Sequence, residues 1–334
     1  MKIFITGVAG FLGSHLADLM LSQGHTVAGN DNMIGGYADN VPQDVEFRQV
    51  DCCDLENMTK AMEGCDIVYH AAATAYEGLS VFSPVLVTRN IFEASVTTIT
   101  AAIRNKVKRI VYCSSMARYG HHDEMPYKET YECRPQDPYG IAKKAGEDVL
   151  RNLCETHGVE YVIAVPHNIV GPRQKYDDPF RNVMSIMLNR MLQGKQPIIY
   201  GDGMQQRCFS YVDDCLYCLN ALAFQDNVVG EIINIGPDEE PITINQLAEA
   251  CANETGINLD PIHHKDRPKE VKLAVCSSDK ARKLLGYNTA TDMRQSVRKT
   301  AEYIRTRGTK KFQYHLPLEI INDKTPETWK NKLI

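Results

Sequence analysis

The chain has 334 residues, of which 43% are hydrophobic and 24% are charged, so it has the composition of a globular protein large enough for one large or two modest domains. Its formal net charge of −5 argues against a nucleic-acid-binding surface, which needs a net basic face. The N-terminal MKIFITG has too short an apolar run for a signal peptide, and no later run approaches the ~20 apolar residues of a membrane span, so we expect a soluble cytoplasmic protein without nucleic-acid or membrane partners.

The first predicted unit is a strand, a glycine-rich turn and a helix. The run KIFIT is apolar and β-branched, and FLGSHLADLMLSQG has helical periodicity. Between them lie Gly7, Gly10 and Gly13. Glycines at such a turn let the backbone approach a ligand, and the free N–H groups at the helix start attract an anion. The spacing therefore indicates a pyrophosphate-binding turn.

Two further strands are predicted to end on acidic residues. HTVAGND ends at Asp31, about 20 residues beyond the glycine turn, where a carboxylate can bind the adenosine ribose and disfavour a 2′-phosphate, so NAD is predicted over NADP. VEFRQVDCCD is predicted as a third strand ending at Asp51. Asp51 has two possible roles, contact with the cofactor or capping of the helix LENMTKAM, and the sequence does not decide between them.

The next strands complete the pattern of an α/β fold. CDIVYHAAA ends in small residues that leave room for a cofactor, and RIVYCSS ends at Ser114 and Ser115. Alternating strands and helices predict a Rossmann-type, doubly wound parallel sheet that binds its ligand at the carboxyl ends of the strands. Tyr139 and Lys143, four apart in a helical stretch, share one helix face and should face the same crevice.

These segments together resemble the extended short-chain dehydrogenase/reductase family, in its NAD-dependent nucleotide-sugar epimerase/dehydratase branch, and are most similar to the UDP-glucose 4-epimerase type. The resemblance follows the chain in order to about residue 308. It is carried by TGVAGFLG (6–13), Asp31-Asn32, HAAA (70–73), Asn90, CSSMARYG (113–120), PYGIAKKAGE (138–147), PHNIVGPR (166–173), YGDGMQQRCFSYVDD (200–214), NIG (234–236) and RPKEV (267–271).

The resemblance implies a role for each matching residue. Tyr139 would be the proton acceptor and donor, Lys143 would hold the nicotinamide ribose and lower the tyrosine pKa, and Ser115 would position a sugar hydroxyl. The NAD-binding residues that it implies are Gly7, Gly10, Phe11, Leu12, Gly13, Asp31, Asn32, Asp51, Cys52, Ala71, Ala72, Ala73, Asn90, Tyr139, Lys143 and Pro166. The substrate-binding residues that it implies are Ser114, Ser115, Asn168, Ile198, Tyr200, Arg207, Arg267 and Ala274.

The residues after Ser115 favour one reaction of this family. Dehydratases and decarboxylases usually carry an acidic residue there, whereas this chain has Met116 and Ala117. What remains is 4-epimerisation of a nucleotide sugar, a UDP-hexose or UDP-N-acetylhexosamine, through a 4-keto intermediate. A 4,6-dehydratase or reductase is the alternative, and a non-catalytic dinucleotide sensor is a third possibility that the retained Tyr139 and Lys143 disfavour.

The C-terminal half is expected to hold the nucleotide. The resemblance implies that Asn168, Arg207 and Arg267 contact the diphosphate, although each arginine alone could equally form a surface ion pair. Val165 stands where relatives often have an arginine, which removes one structural or ligand contact. Ala274 is aligned over the sugar C2 substituent, where a small side chain would leave room for an N-acetyl group.

The domain organisation is predicted from the same resemblance. An NAD-binding domain would span 1–165, with returning segments near 205–236, and a nucleotide-sugar-binding domain would occupy most of 166–308. The tail 309–334 is expected to dock on the body or on a partner chain. A homodimer is implied, through a four-helix bundle formed by the helices around 88–104 and 139–157.

The other candidate sites have structural explanations. The eleven cysteines are expected to be reduced, the single C-x-x-C motif at Cys215 and Cys218 to be buried in a helix, and no metal is expected. The basic clusters at 104–109 and 305–311 are predicted to be solvent-exposed faces. Arg118, beside the active strand, is also expected to extend to solvent.

Overall fold

The computed structural model describes residues 1–268 and 271–334. No helix in these two ranges combines the length and the apolar character that crossing a membrane requires. The strands are β1 (Lys2–Thr6), β2 (Thr26–Asn30), β3 (Val45–Arg48), β4 (Ile67–His70), β5 (Arg109–Cys113), β6 (Glu160–Pro166), β7 (Ile169–Val170), β8 (Ile198–Tyr200), β9 (Gln206–Arg207), β10 (Ser210–Tyr211), β11 (Ile232–Ile235), β12 (Ile242–Thr243), β13 (Ile262–His264) and β14 (Leu273–Ala274). The helices are α1 (Phe11–Ser22), α2 (Leu55–Ala61), α3 (Glu77–Ser80), α4 (Pro84–Thr88), α5 (Ala94–Arg104), α6 (Pro138–His157), α7 (Val183–Met191), α8 (Val212–Phe224), α9 (Ile244–Thr255), α10 (Asp279–Leu285), α11 (Met293–Arg307) and α12 (Glu327–Lys330), and a π-helical turn at Arg89–Glu93 joins α4 to α5.

A seven-stranded parallel sheet forms the centre of the molecule. Its strand order is β11-β6-β5-β4-β1-β2-β3, with β1 paired to both β2 and β4. The chain therefore winds outward from β1 in both directions, which confirms the predicted Rossmann-type, doubly wound sheet. The chain returns to this sheet at β11, which pairs with β6.

Both faces of this sheet are buried, because the side chains of each strand alternate between them. On β1, Ile3 and Ile5 belong to the apolar cluster that includes α1 and α8, whereas Phe4 belongs to the cluster on the other face with α5 and α6. Cys215 and Cys218 are buried within α8, and all eleven cysteines are free thiols. In the described ranges, no group of three His, Cys, Asp or Glu side chains is arranged to hold a metal ion.

A second region packs beside the carboxyl end of the sheet. Strand β9 lies between β12 and β14, and β8 pairs with β13. Helices α7, α9 and α11 share a third apolar cluster. The nucleotide is predicted to bind on this side, and the division of the chain into domains at 165 and 308 stays a prediction.

Arg109 departs from the predicted solvent-exposed basic face, since it is only 1% exposed. Its guanidinium pairs with Glu160 at 2.7 Å and donates to the carbonyl oxygens of Leu222, Ala223 and Gln225, at the end of α8. An arginine can therefore begin a buried strand when a helix end supplies its acceptors.

The tail packs on the body of the molecule. Trp329 is 2% exposed, its indole N–H donates to the Pro179 carbonyl at 3.2 Å, and its ring contacts Phe82 and Phe180 edge to face. In the middle of the tail, the carboxylate of Glu319 accepts hydrogen bonds from the first backbone N–H groups of α4. The tail is thus held at two places, by the residues around 80–86 and around 180.

Candidate active site

One cavity of about 490 Å³ opens at the carboxyl end of the sheet. It extends from the glycine turn after β1, past the ends of β4 and β5 and the start of α6, to β8 and β9. The topology explains its position, because neighbouring strands leave β1 in opposite directions and open a crevice at this edge.

The glycine turn is shaped for close approach of backbone to backbone. Gly7 has φ 72°, and a Cβ built on it would lie 2.9 Å from the Ala72 Cα. A Cβ on Gly13 would lie 2.2 Å from the Gly7 carbonyl oxygen, so α1 can begin this near the turn only with glycine there. Gly10, the N-cap of α1, provides no side chain to satisfy the first N–H groups, and it lines the cavity with Phe11. An uncapped helix start facing a cavity fits the pyrophosphate of NAD.

The acidic residues after β2 and β3 lie beside this turn. β2 ends at Asn30, and the Asp31 carboxylate accepts the backbone N–H groups of Ala9 at 3.1 Å and Met33 at 2.7 Å. Burial raises the pKa of Asp31. This carboxylate holds the glycine turn in place through its hydrogen bond from Ala9, and it also lines the cavity.

Asp51 does not cap a helix. β3 ends three residues earlier than predicted, at Arg48, and Asp51 accepts the Cys53 N–H at 2.8 Å in a turn. The N-cap of α2 is Asp54, whose carboxylate accepts the Asn57 N–H at 3.1 Å. The helix-cap interpretation of Asp51 is therefore wrong, and Asp51 lines the cavity.

Small and amide side chains form the next part of the wall. Asn90 lies on the π-helical turn and donates through Nδ2 to the Thr74 hydroxyl at 3.0 Å. Cys52 is buried and accepts a hydrogen bond from Asn30 Nδ2 at 3.3 Å. The remaining predicted cofactor residues that line the cavity are Leu12, Asn32, Ala71, Ala72, Ala73 and Pro166.

Tyr139 and Lys143 face the cavity from one side of α6. The helix begins at Pro138, and Asp137 caps it by accepting the Gly140 N–H at 2.9 Å. Lys143 Nζ donates to the Cys113 carbonyl at the end of β5, at 2.7 Å. Ser115 follows that strand, and its hydroxyl acts to lower the pKa of the Tyr139 phenol. The phenol, the ammonium and the hydroxyl thus meet at the end of β5.

Burial has the largest effect on the pKa of Tyr139. It raises this pKa to about 12, against the lowering effects of the Ser115 hydroxyl and of the charge on Arg181. Burial also lowers the pKa of Lys143 to about 8. The lowering of the tyrosine pKa by Lys143 stays a prediction.

A buried ion pair supports the end of β5 from behind. Arg118 is 2% exposed and pairs with Glu147 at 2.8 Å, and the Ser114 hydroxyl donates to the other oxygen of that carboxylate. The expectation that Arg118 extends to solvent is therefore wrong, because α6 supplies a buried carboxylate opposite it. Ser114 lines the cavity, but its hydroxyl is directed at Glu147.

The predicted substrate residues lie mainly at the far end of the cavity. Asn168 has φ 45° and donates to the Cys208 carbonyl at 2.9 Å. Arg207 donates to the Val271 carbonyl at 2.5 Å, and the Arg267 guanidinium lies 4.9 Å from the centre of the Tyr200 ring. Ile198 also lines this part of the wall, with Tyr200, Arg207 and Arg267. Residues 269–270, within the RPKEV segment, lie outside the described residues.

A sequence model of the NAD dependent epimerase/dehydratase family matches residues 3–236. This chain belongs to that family. A putative UDP-glucose 4-epimerase of Methanocaldococcus jannaschii is 31% identical over 307 residues, which cover 91% of this chain and 98% of that protein. A UDP-glucose 4-epimerase of Thermotoga maritima, solved with UDP-glucose, superposes with a TM-score of 0.87 at 29% identity over 92% of this chain and 99% of that one. The UDP-glucose 4-epimerase of Thermus thermophilus, solved in complex with NAD, gives a TM-score of 0.85 at 29% identity over 91% and 99%.

The chain is thus an NAD-dependent epimerase of this family, with NAD as its cofactor. This agrees with the uncapped start of α1, the close glycine turn and the carboxylate after β2. The predicted family and enzyme class are confirmed.

Two positions of the C-terminal half differ from what the family resemblance implied. Ala274 is 6% exposed, lies in the apolar cluster with Tyr127 and Cys276, and is not among the residues that line the cavity, so its assignment as the gate over the sugar C2 substituent is wrong. Val165 is fully buried in the same cluster, so an arginine there would be a structural residue in this fold.

Several cavity residues were not predicted from the sequence. Thr74, Glu77, Lys175, Asp178 and Arg181 all line the cavity. The last three belong to QKYDDPFR, which follows GPR directly and joins β7 to α7. A run of charged and aromatic residues that closely follows a predicted substrate loop is the signal that could have identified them.

Proposed function

We propose that this protein is an NAD-dependent nucleotide-sugar 4-epimerase that acts on a UDP-hexose or a UDP-N-acetylhexosamine. The observation that carries the proposal is that Ser115, Tyr139 and Lys143 line the same cavity as the glycine turn. The relatives named UDP-glucose 4-epimerase support the sugar-nucleotide assignment.

The residues have separate tasks in this proposal. Tyr139 takes the proton of the sugar C4 hydroxyl and returns it, and Ser115 holds both the phenol and that hydroxyl by hydrogen bonds. When bound, NAD supplies the hydride acceptor and donor at C4 and a positive charge that favours the phenolate. Since burial raises the pKa of Tyr139 to about 12, this positive charge is what would bring the phenol toward proton transfer at neutral pH.

Lys143 is proposed to hold the nicotinamide ribose. Its ammonium is positioned by the Cys113 carbonyl rather than by Tyr139. The NAD site would further use the residues predicted above, from Gly7 to Pro166, that line the cavity. Asn168, Arg207 and Arg267 would contact the diphosphate, and Ile198 and Tyr200 the nucleoside. We also propose that the site accepts an N-acetyl group on the sugar, and this no longer depends on Ala274 lying over the C2 substituent.

The first experiment follows the C4 configuration of UDP-glucose, UDP-galactose and their N-acetylamino counterparts by proton NMR, with the purified chain and no added cofactor. Inversion at C4 without loss of water supports the proposal. Loss of water would identify a dehydratase, and consumption of added NADH would identify a reductase.

The catalytic assignment is tested by Tyr139→Phe. The variant should retain bound NAD but lose at least roughly 10²-fold in rate, because the acid/base hydroxyl is removed. Tyr217→Phe, on the surface of α8, is the matched control and should retain the full rate. An unchanged rate in Tyr139→Phe would refute the proposed acid/base.

The homodimer is also proposed. Two large apolar side chains stand exposed on the elements predicted to form its interface, Phe92 on the π-helical turn at 38% and Ile141 on α6 at 53%, and Val85 on the preceding α4 is 69% exposed. Exposed apolar residues grouped on packed helices are typical of an interface. Ile141→Asp should halve the mass measured by light scattering, whereas Tyr217→Asp should leave it unchanged; a monomeric parent protein would refute the dimer.

A further inference from the structure

Arg181 is held in a fixed position at the wall of the cavity. It directly precedes Asn182, which has a left-handed backbone with φ 69°. The Asn182 amide oxygen accepts both the Gln174 Nε2 hydrogen bond and the Arg181 Nε hydrogen bond, each at 3.0 Å, and Asn182 Nδ2 donates to the Lys175 carbonyl at 3.3 Å. The Nε of Arg181 is therefore anchored, and its two terminal nitrogens lead away from this turn.

The guanidinium lies on an aromatic ring in the wall of the cavity. Its central carbon is 5.5 Å from the centre of the Tyr76 ring. Tyr76 is itself fixed, because it is 2% exposed and its hydroxyl donates to Asp178. The same cavity is lined by Tyr76, Arg181 and Tyr139. The charge of Arg181 acts to lower the pKa of the Tyr139 phenol.

Among the described residues, the charge of Arg181 has no counter-ion at ion-pairing distance. Within residues 1–268 and 271–334, no carboxylate oxygen lies within 4.0 Å of its guanidinium nitrogens. The nearby carboxylate of Asp178 is already engaged, since it accepts the Tyr76 hydroxyl and the Phe180 N–H at 2.8 Å. Burial raises the pKa of Asp178, while the charge of Arg181 acts to lower it.

The other two arginines of the cavity are placed differently. Arg207 binds backbone carbonyls of its own and the neighbouring strand, and Arg267 lies over Tyr200 beside Gly78. Both are assigned to the diphosphate in the proposed function. Arg181 is the third arginine of the cavity, which is also lined by Lys143 and Lys175, and its charge acts on the acid/base phenol.

We infer that Arg181 binds a carboxylate carried by the sugar itself, so that the preferred substrate class is a nucleotide-linked hexuronate. This inference rests on the proposed 4-epimerase chemistry and replaces the neutral sugar of the proposed function by one with a carboxylate at C6. A planar guanidinium with two free terminal nitrogens matches a carboxylate with two parallel hydrogen bonds. A neutral hexose would instead leave the arginine charge desolvated and unpaired beside the bound sugar, which costs affinity.

The test compares two substrates that differ only at C6, UDP-glucose and UDP-glucuronate. The kcat/KM for C4 inversion is measured by proton NMR with the full chain as purified. The parent protein should prefer UDP-glucuronate by at least about 30-fold, which corresponds to the roughly 2 kcal/mol expected for a charge-assisted hydrogen-bonded pair.

Arg181→Met keeps the length of the side chain and removes its charge. It should lower kcat/KM for UDP-glucuronate by at least about 30-fold and change that for UDP-glucose by less than about 3-fold. Arg181→Lys should recover part of the preference, because it restores the charge without the fork. Arg134→Met, at an exposed ion pair with Glu132, is the control for loss of an arginine and should match the parent protein.

Two results would overturn the inference: a parent protein that prefers UDP-glucose, or an Arg181→Met variant that loses the same factor with both substrates. The second result would assign Arg181 to the shared diphosphate or to the Tyr139 phenolate. Calorimetric Kd values separate this inference from the proposed function. If no C4 inversion occurs but UDP-glucuronate still binds more tightly than UDP-glucose in an Arg181-dependent manner, the epimerase proposal fails while the carboxylate site stands.

Discussion

Arg118 and Glu147 form an ion pair at 2.8 Å in which neither side chain is more than 3% exposed. The pair joins the residues after β5 to the middle of α6, and these two elements carry Ser115 and Tyr139. Glu147 also accepts a hydrogen bond from the Ser114 hydroxyl, so one carboxylate binds both Arg118 and Ser114. The position of the candidate acid/base thus depends on a charge pair that lies outside the cavity wall.

Removing one member of this pair should be far more costly than removing both. Arg118→Met leaves the Glu147 carboxylate buried without its counter-charge, and we expect it to lower the free energy of unfolding by roughly 3–5 kcal/mol. The double variant Arg118→Met/Glu147→Leu removes both charges and should recover most of that loss. Urea unfolding monitored by circular dichroism measures both values.

The matched control for this pair is Arg134→Met, which breaks an exposed pair with Glu132 and should change the free energy of unfolding by less than about 1 kcal/mol. A double variant as unstable as Arg118→Met would contradict the account, since the unpaired charge would not be the cause.

Much of the site could be predicted because it depends on local sequence. A strand, a glycine turn and a helix are specified by neighbouring residues, and the carboxyl ends of parallel strands meet at one edge. Tyr139 and Lys143 share a helix face whatever else surrounds them. These relationships need only the chain order of the elements.

The positions that were predicted wrongly depend on contacts between distant segments. Arg118 and Arg109 each look like surface cations until Glu147 or the end of α8 is brought opposite them. Asp51 and Asp54 are both plausible caps of α2, and only the local turn decides for Asp54. Ala274 was placed by an alignment of residues further along the chain, whereas its backbone pairing with β9 turns its side chain into the core.

The close glycine turn leads to a prediction about NAD retention. Gly7→Ala places a Cβ 2.9 Å from the Ala72 Cα and also imposes a left-handed backbone on an alanine. The turn must shift, so the variant should lose NAD during gel filtration. The NAD released on denaturation of the eluted protein measures this.

Gly24→Ala is the control for the backbone effect alone. Gly24 also has a left-handed backbone, with φ 80°, but a Cβ there meets no atom within 4 Å. It should lose about 1–2 kcal/mol of stability and retain its NAD. Equal NAD loss from both variants would show that backbone strain, and not the contact with Ala72, is responsible.

The buried tail leads to a prediction about stability. Trp329→Ala removes a ring that is 2% exposed and packed against Phe82 and Phe180, and should lower the free energy of unfolding by about 3–5 kcal/mol. Ile321→Ala, in the same tail but 58% exposed, should change it by no more than about 0.5 kcal/mol. An equal loss of unfolding free energy in both variants, or no loss in Trp329→Ala, would show that the tail does not unfold together with the rest of the molecule.

The burial of Lys143 should make the stability of the protein depend on pH in a defined range. In the fold the pKa of Lys143 is lowered to about 8, whereas an unfolded lysine keeps its proton to about pH 10.4. Between these values the unfolded chain binds more protons, so this group adds stability as the pH rises, and its full penalty is present below pH 8. The shift corresponds to a net cost of about 3 kcal/mol for the protonated form, which already includes its hydrogen bond to Cys113.

Lys143→Met should therefore be more stable than the parent protein at pH 7, by up to about 3 kcal/mol, although it loses the proposed ribose contact and most of its activity. The difference should shrink as the pH rises toward 10, because the parent protein then sheds the buried proton. Urea midpoints at pH 7, 8.5 and 10 measure this trend, with Lys144→Met on the same helix as the control, expected within about 0.5 kcal/mol of the parent protein at pH 7. A variant that is less stable at pH 7, or a gap that widens with pH, would mean that the Cys113 hydrogen bond outweighs the cost of burying the ammonium.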